Sequence, residues 1–357
     1  MTMNVSPVPV SHGGDWAGFL AEYGTMPLDF SANVSPLGVP PEVQSAASQA
    51  LASADRYPDP LCRDLCAAIA ERERVRPDEV LCGNGASDLL YRMVLSLRPK
   101  RALLPVPTFT EYAAALTLCG AQTDRVVLLP EDDFVLSPYF VEALRPDTDL
   151  VILCNPNNPT GRTVPPALLR RIAEATRDNG TVLCVDECFV DFVDDPERVT
   201  LRASLSEFPN VILLRAFTKL YAIPGLRLGF ALCGDPALLH RISRAGPPWS
   251  VSGPAQAAGL AALSATGYRE QVRALIRSER PVLRSGLQEL GLTVLPGEAN
   301  FLLVRGTPNL GPELRRRGIL LRACPDFEGL SAGWFRVAVR TPEENNRMLA
   351  TLKEVLP

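Results

Sequence analysis

The sequence predicts an α/β fold on a largely parallel sheet, and three observations predict it. Short apolar runs of strand length alternate with longer stretches of helical periodicity. Turns rich in Gly, Pro and Asn follow several of those runs directly. The residues richest in chemistry, Asp186, Lys219 and the stretch 155–161, come just after runs that read as strands. Open α/β sheets bind their ligands at that end.

Taken in order, the segment up to Pro40 is loop-rich and is expected to pack over the site. Helical patterns run over Glu42–Leu51, Asp64–Arg74 and Asp88–Leu97; the last carries Leu89, Leu90, Met93, Val94 and Leu97 on one face. The runs 101–104, 150–154, 182–186, 211–214 and 226–232 read as strands. Further helical patterns cover Pro166–Asn179 and the long stretch Tyr268–Leu290. After Gly291, short strands (301–304 and 334–339) alternate with helices (311–317 and 341–355), which predicts a smaller α+β unit. The expected organisation is an N-terminal arm over 1–45, a large α/β domain over 46–255 and a small α+β domain over 256–357.

Composition narrows the function. The 357 residues are 46% hydrophobic and 21% charged, which suits a globular chain of one large and one smaller domain. A net charge of −4 argues against a general nucleic-acid binder and leaves small anions to local arginines. No apolar run reaches membrane-span length, and Met1–Pro7 lacks the basic and apolar parts of a signal peptide. The expected location is cytoplasmic. Nine scattered cysteines, most in apolar runs, read as buried thiols in a reducing compartment. With only two histidines, no metal site is expected.

The chemistry centres on 215–227. Thr218 precedes Lys219, and Arg227 follows past a Pro-Gly turn. A lysine closing a buried strand is poorly solvated, so its pKa falls and its neutral amine can attack an aldehyde. The hydroxyl and the guanidinium suit a phosphate. An aldehyde cofactor that carries a phosphate is pyridoxal 5′-phosphate.

Other stretches carry two readings each. Asp186 closes a strand and is either a helix N-cap or a carboxylate that needs a cation. The run Asn155-Pro-Asn-Asn-Pro-Thr-Gly161 is a plain turn or a rigid loop facing a ligand. Gly83-Asn-Gly-Ala-Ser-Asp88 leads into a helix; capping by Ser87 or Asp88 is compatible with amides offered to an anion. Phe109 is a core aromatic or a ring that stacks on a cofactor. Arg336 lies in an apolar strand and needs an anion, while Arg322 is a second anion ligand or half of an internal salt bridge.

From about His12 to about Arg340, these stretches in this order resemble the fold-type I pyridoxal phosphate enzymes of the class I/II aminotransferase family. Within it, the wording is most similar to threonine-phosphate decarboxylases of cobalamin biosynthesis, and next to histidinol-phosphate aminotransferases. The resemblance implies a mostly parallel seven-stranded sheet between helices, with a smaller C-terminal α+β domain. It implies Lys219 and Asp186 as catalytic residues, Asp186 as partner of the cofactor's ring nitrogen and Asn158 at its ring oxygen. Phe109 then stacks on the ring, and Gly85, Ala86, Ser87, Thr218 and Arg227 hold the phosphate. Tyr57, in Asp55–Asp59, reaches the neighbouring subunit's cofactor, which implies a homodimer with shared sites. His12, Asn33, Arg322 and Arg336 bind a phosphorylated amino acid, with Arg336 on the carboxylate. Pro247–Val251 also resembles the decarboxylases, with Trp249 as packing.

Two positions depart from the family. Phe189 stands where many members carry a tyrosine, and Ala216 where relatives often carry Ser or Thr. Phe189 favours the decarboxylase subgroup, which implies conversion of L-threonine O-3-phosphate to 1-amino-2-propanol O-2-phosphate. The alternative is transamination, as of histidinol phosphate. The same residues serve both, and the pose of the anionic groups decides.

Overall fold

The computed structural model describes residues 12–356. Residues 1–11, which open the expected arm and include Met1–Pro7, and Pro357 lie outside the described residues. In chain order the strands are β1 (Leu28–Asp29), β2 (Val80–Gly83), β3 (Arg101–Val106), β4 (Gln122–Val127), β5 (Leu150–Cys154), β6 (Val182–Asp186) and β7 (Val211–Ala216). There follow β8 (Gly229–Cys233), β9 (Thr293–Val294), β10 (Phe301–Arg305), β11 (Ile319–Leu320), β12 (Arg322–Ala323) and β13 (Trp334–Ala338).

Seven of these form the large sheet, in the order β2-β8-β7-β6-β5-β3-β4. β3 to β7 pair in parallel, and β8 runs against both of its neighbours. Alternate residues of each central strand feed opposite faces. On β5, Val151 and Leu153 join one core cluster, while Leu150, Ile152 and Cys154 join the other. Helix Pro166–Asp178 covers the first face with Leu168, Leu169 and Ile172; helix Ala86–Leu97 covers the second with Leu89, Leu90 and Met93. Each helix buries one apolar stripe because its sequence repeats at helical spacing.

A four-stranded antiparallel sheet, β12-β13-β10-β9, lies in the C-terminal part. β1 pairs in parallel with β11, and Phe30 bonds the backbone of Leu320 and Ala338, each at 2.9 Å. The N-terminal segment is thereby stitched to the C-terminal part.

The structure corrects several expected elements. The strand expected at 226–232 starts only at Gly229, because Pro224–Leu226 forms a 3₁₀ turn and Arg227 takes a φ of 57°. The loop-rich arm contains the helix Trp16–Tyr23, whose N-cap Asp15 accepts from the Gly18 amide and which ends at Gly24. Edge strand β4 is polar along most of its length, so it offers no apolar run. Helix Gly253–Ser264 is built mainly of Ala and Gly and shows no stripe. No helix among the described residues is long and apolar enough to cross a membrane. All nine cysteines are free thiols.

Candidate active site

A cavity of about 600 Å³ opens at the C-terminal ends of the parallel strands. Its floor comes from the large sheet. In the ladder, Cys154 stands opposite Asp186 and Asp186 opposite Leu214, so the ends of β5, β6 and β7 form one row. Behind that row, buried Arg215 bonds Glu187 at 2.7 Å and Glu73 at 3.1 Å. This clamp ties the end of β7 to the residue after Asp186.

At one end of the floor, helix Ala86–Leu97 begins after Gly85, whose φ is 87°. That left-handed backbone is what calls for glycine, and an added Cβ would also crowd the tip of Arg227, at 2.7 Å from its Nη2. No side chain caps this helix. Asp88, one of the two candidate caps, instead accepts from the Asn84 amide at 2.9 Å and pairs with Arg92 at 2.9 Å. The first-turn amides are left for an anion, and Ala86, Ser87, Thr218 and Arg227 line the cavity here.

Lys219 sits in the short helix Phe217–Leu220, directly after β7. It is half-buried and lines the cavity. Burial first, and then the charge of Arg336, push its pKa down to about 8. Its Nζ lies 5.7 Å from the centre of the Phe189 ring. No carboxylate lies within ion-pair distance of it among the described residues. Asp186 is 8% exposed. It accepts from Tyr112 Oη at 2.7 Å and from the Cys188 amide at 3.0 Å. It too has no cationic partner among the described residues, so its charge is available to a protonated ring nitrogen.

The opposite wall comes from the small sheet and the N-terminal segment. Arg336 and Arg322 are register partners on β13 and β12, so both side chains share one face. Arg336 Nη1 donates to Asn158 Oδ1 at 2.7 Å and Nη2 to the Ser31 carbonyl at 2.8 Å. Burial pushes its pKa down to about 10. Asn158 lines the cavity, and its Nδ2 has no hydrogen bond among the described residues. Arg322 pairs with Asp326 at 2.6 Å, so the internal salt bridge is present, and Arg322 also lines the cavity. Asn33 is 2% exposed, and neither polar atom of its side chain has a partner. His12 holds its Nε2 3.0 Å from Glu111 Oε1, with its ring 6.0 Å from that of Phe109.

Tyr57, expected to serve the cofactor of a neighbouring copy, lies outside this cavity. It is 80% exposed and stacks on Trp249 at 4.6 Å. Several site residues escape sequence reasoning. Tyr112, fully buried, is the main one; its spacing of three from Phe109 within a helical turn was the available signal. Ser31 and Glu111 lie in family-like stretches, 30–38 and 105–112, that assign them no role, and Asp29 lies in no motif.

The donor set fits pyridoxal phosphate. It offers an unpaired amine, a buried carboxylate without a cation, an unused amide on Asn158, and an uncapped helix start beside Arg227 that a Cβ would fill.

The comparisons with known proteins agree. The sequence model of aminotransferase class I and II matches residues 25–352. The chain is similar to the threonine-phosphate decarboxylase of Salmonella typhimurium: 37% identical over 353 residues, covering 97% of this chain and 96% of that protein. It is similar to the histidinol-phosphate aminotransferase of Symbiobacterium thermophilum: 37% identical over 336 residues, covering 92% and 90%. Its fold is similar to the crystal structure of the histidinol-phosphate aminotransferase from Clostridium acetobutylicum, with a TM-score of 0.85, 26% identity and coverage of 91% of this chain and 98% of that one.

Proposed function

We infer that this chain, which belongs to the class I and II aminotransferase family and is a pyridoxal phosphate-dependent enzyme, removes the carboxylate of L-threonine O-3-phosphate to give 1-amino-2-propanol O-2-phosphate. The observation that carries this reading is the register pair Arg322 and Arg336, both lining the cavity that Lys219 also lines. Two guanidiniums on one wall suit a substrate with two anionic groups, a carboxylate and a phosphate. The relative named threonine-phosphate decarboxylase, aligned over 97% of this chain, supports it.

The proposed roles follow from position. When bound, the cofactor supplies an electron sink that stabilises negative charge at Cα of an attached amino acid. Asp186 keeps the sink protonated at its ring nitrogen, and Tyr112 holds that carboxylate in place. Asn158 offers Nδ2 to the ring oxygen while its Oδ1 stays on Arg336. Gly85, Ala86, Ser87, Thr218 and Arg227 hold the cofactor's phosphate, and Phe109 covers the ring. Lys219 carries the cofactor and then moves a proton at Cα. Arg336 takes the carboxylate, with Arg322, Asn33 and His12 at the substrate's phosphate. Tyr57 completes the phosphate site of a second copy, which makes the working unit a homodimer.

In decarboxylation, the Cα–carboxylate bond breaks, CO2 leaves, and a proton takes its place on Cα. The second reading is transamination of histidinol phosphate, favoured by a relative of equal identity that bears that name. In that case Lys219 removes the Cα proton instead. The deciding experiment gives purified, pyridoxal phosphate-loaded protein O-phospho-L-threonine, and follows CO2 with and without 2-oxoglutarate. Release of CO2 without the oxoacid is the expected result. No CO2, together with glutamate formed from 2-oxoglutarate and histidinol phosphate, overturns it in favour of the aminotransferase.

A further inference from the structure

We propose that Ser31 and Glu111 are positioning residues that hold His12-Gly13-Gly14 as a wall of the substrate site. The inference rests on reading the cavity as an amino-acid site; Ser31 and Glu111 lie within stretches that resemble the family, but the resemblance gives neither of them a role.

The first anchor is built around one buried residue. The Gly14 amide donates to Ser31 Oγ at 2.8 Å. Ser31 Oγ donates in turn to Asp29 Oδ1 at 2.6 Å, and that oxygen also accepts from the Ser31 amide at 2.7 Å and the Ala32 amide at 3.3 Å. The hydroxyl is therefore used in both directions, and the turn around it is fixed. Gly13 packs on the same residue so closely that a Cβ would lie 2.1 Å from the Ser31 carbonyl oxygen. That carbonyl is the acceptor for Arg336 Nη2. Ser31, 3% exposed, thus carries the wall on its hydroxyl and the anion-binding guanidinium on its carbonyl.

The second anchor lies at the other end of the wall. Glu111 Oε1 is 3.0 Å from His12 Nε2, and Glu111 Oε2 accepts from Tyr91 Oη at 2.6 Å. Glu111 does not itself line the cavity, so it acts on a ligand only through His12. Both anchors share one design: a polar group that touches the wall is fixed from behind by another. A surface loop with no role would have no need of either. Held in place, the wall keeps His12 against Phe109, its ring 6.0 Å from that of Phe109, on the lining of the cavity that Arg322 and Arg336 also line. Ser31→Ala keeps the carbonyl that holds Arg336, and Glu111→Ala leaves the bond from neighbouring Tyr112 to Asp186 in place, so the loss of either side chain should spare the cofactor.

The test uses the pyridoxal phosphate-loaded protein and the variants Ser31→Ala and Glu111→Ala. Each should raise KM for O-phospho-L-threonine about 5- to 10-fold, as loss of one or two hydrogen bonds does. kcat should stay within about 3-fold, and the cofactor should bind as before. Amide exchange in a peptide spanning residues 12–20 should quicken in both variants, a readout that needs no turnover. Asp29→Ala should behave like Ser31→Ala, whereas Asp29→Asn keeps an Oδ1 acceptor and should recover most of the affinity. Faster exchange with unchanged KM would overturn the proposal, because the wall would then not serve the substrate. Weaker cofactor binding in step with the rise in KM would also overturn it, by assigning both residues to the fold. If the substrate is histidinol phosphate, the decarboxylase reading fails, and the same KM and exchange comparison made with that substrate still decides on the anchors.

Discussion

The floor and the wall of the cavity are built by different means. On the floor, Asp186 ends β6, Lys219 follows β7 by three residues, and both strand ends are locked by the ladder and by the Arg215–Glu187 pair. On the wall, Arg336 bonds partners 178 and 305 residues away in the chain. The floor is thus set by strands that form the core, and the wall by contacts between segments far apart in the chain. The difference teaches where the family's variety can reside. Relatives named decarboxylase and aminotransferase are each 37% identical to this chain. A common floor can supply both chemistries while the wall chooses the bond that faces it.

The hardest test of that division is Lys219→Ala. Turnover should fall by about 10⁴-fold or more, since under the proposed roles the amine serves both attachment and proton transfer. Borohydride should no longer fix the cofactor to the chain, which mass spectrometry reads directly. Retained turnover would remove the floor's central residue. Asp186→Asn comes next, with kcat lower by about 10³-fold, roughly 4 kcal/mol in the chemical step. Here the cofactor should still be fixed by borohydride. An unchanged kcat would mean that the sink does not depend on this carboxylate.

The same contrast explains what the sequence made legible. Strands β5 and β6, Asp186, Lys219 and the glycine turn at Gly85 could be read because the signal is local: an apolar run, then an unusual residue at its end. The wall could be read only in part. Arg336 stood out as a charge in an apolar strand. Ser31 and Glu111 look like ordinary polar residues until the chain folds Gly14 onto one and His12 onto the other. The strand expected at 226–232 failed for a similar reason. Its apolar residues continue into the turn that lets Arg227 reach Gly85, and a backbone at φ 57° leaves no trace in hydrophobicity.

A third test joins wall to floor. The cation on Arg336 disfavours the ammonium form of Lys219, whose pKa lies at about 8. Cofactor-free protein should therefore capture pyridoxal phosphate faster as pH rises and level off above about 8, because only the neutral amine attacks. In Arg336→Ala the repulsion is gone, so the ammonium holds its proton longer and the midpoint should move up. KM for the amino-acid substrate should rise by about 100-fold, as for loss of one partner in a buried charge pair. A midpoint that stays or falls would show that burial alone sets the lysine.

The smallest expected effect sharpens the account of the floor itself. Tyr112→Phe removes one of the two hydrogen bonds to Asp186 and leaves the shape of a fully buried ring. The carboxylate would keep the Cys188 amide, and the bound cofactor would keep its counter-charge. kcat should fall by about 10-fold, the scale of one hydrogen bond to a charged group, with KM nearly unchanged. The size relative to Asp186→Asn is what matters. If Tyr112→Phe costs as much as Asp186→Asn, the phenol sets the carboxylate's position as well as its charge. If it costs nothing, the β6 ladder and the Cys188 amide hold Asp186 without the phenol, and the floor is a product of the sheet and its own backbone.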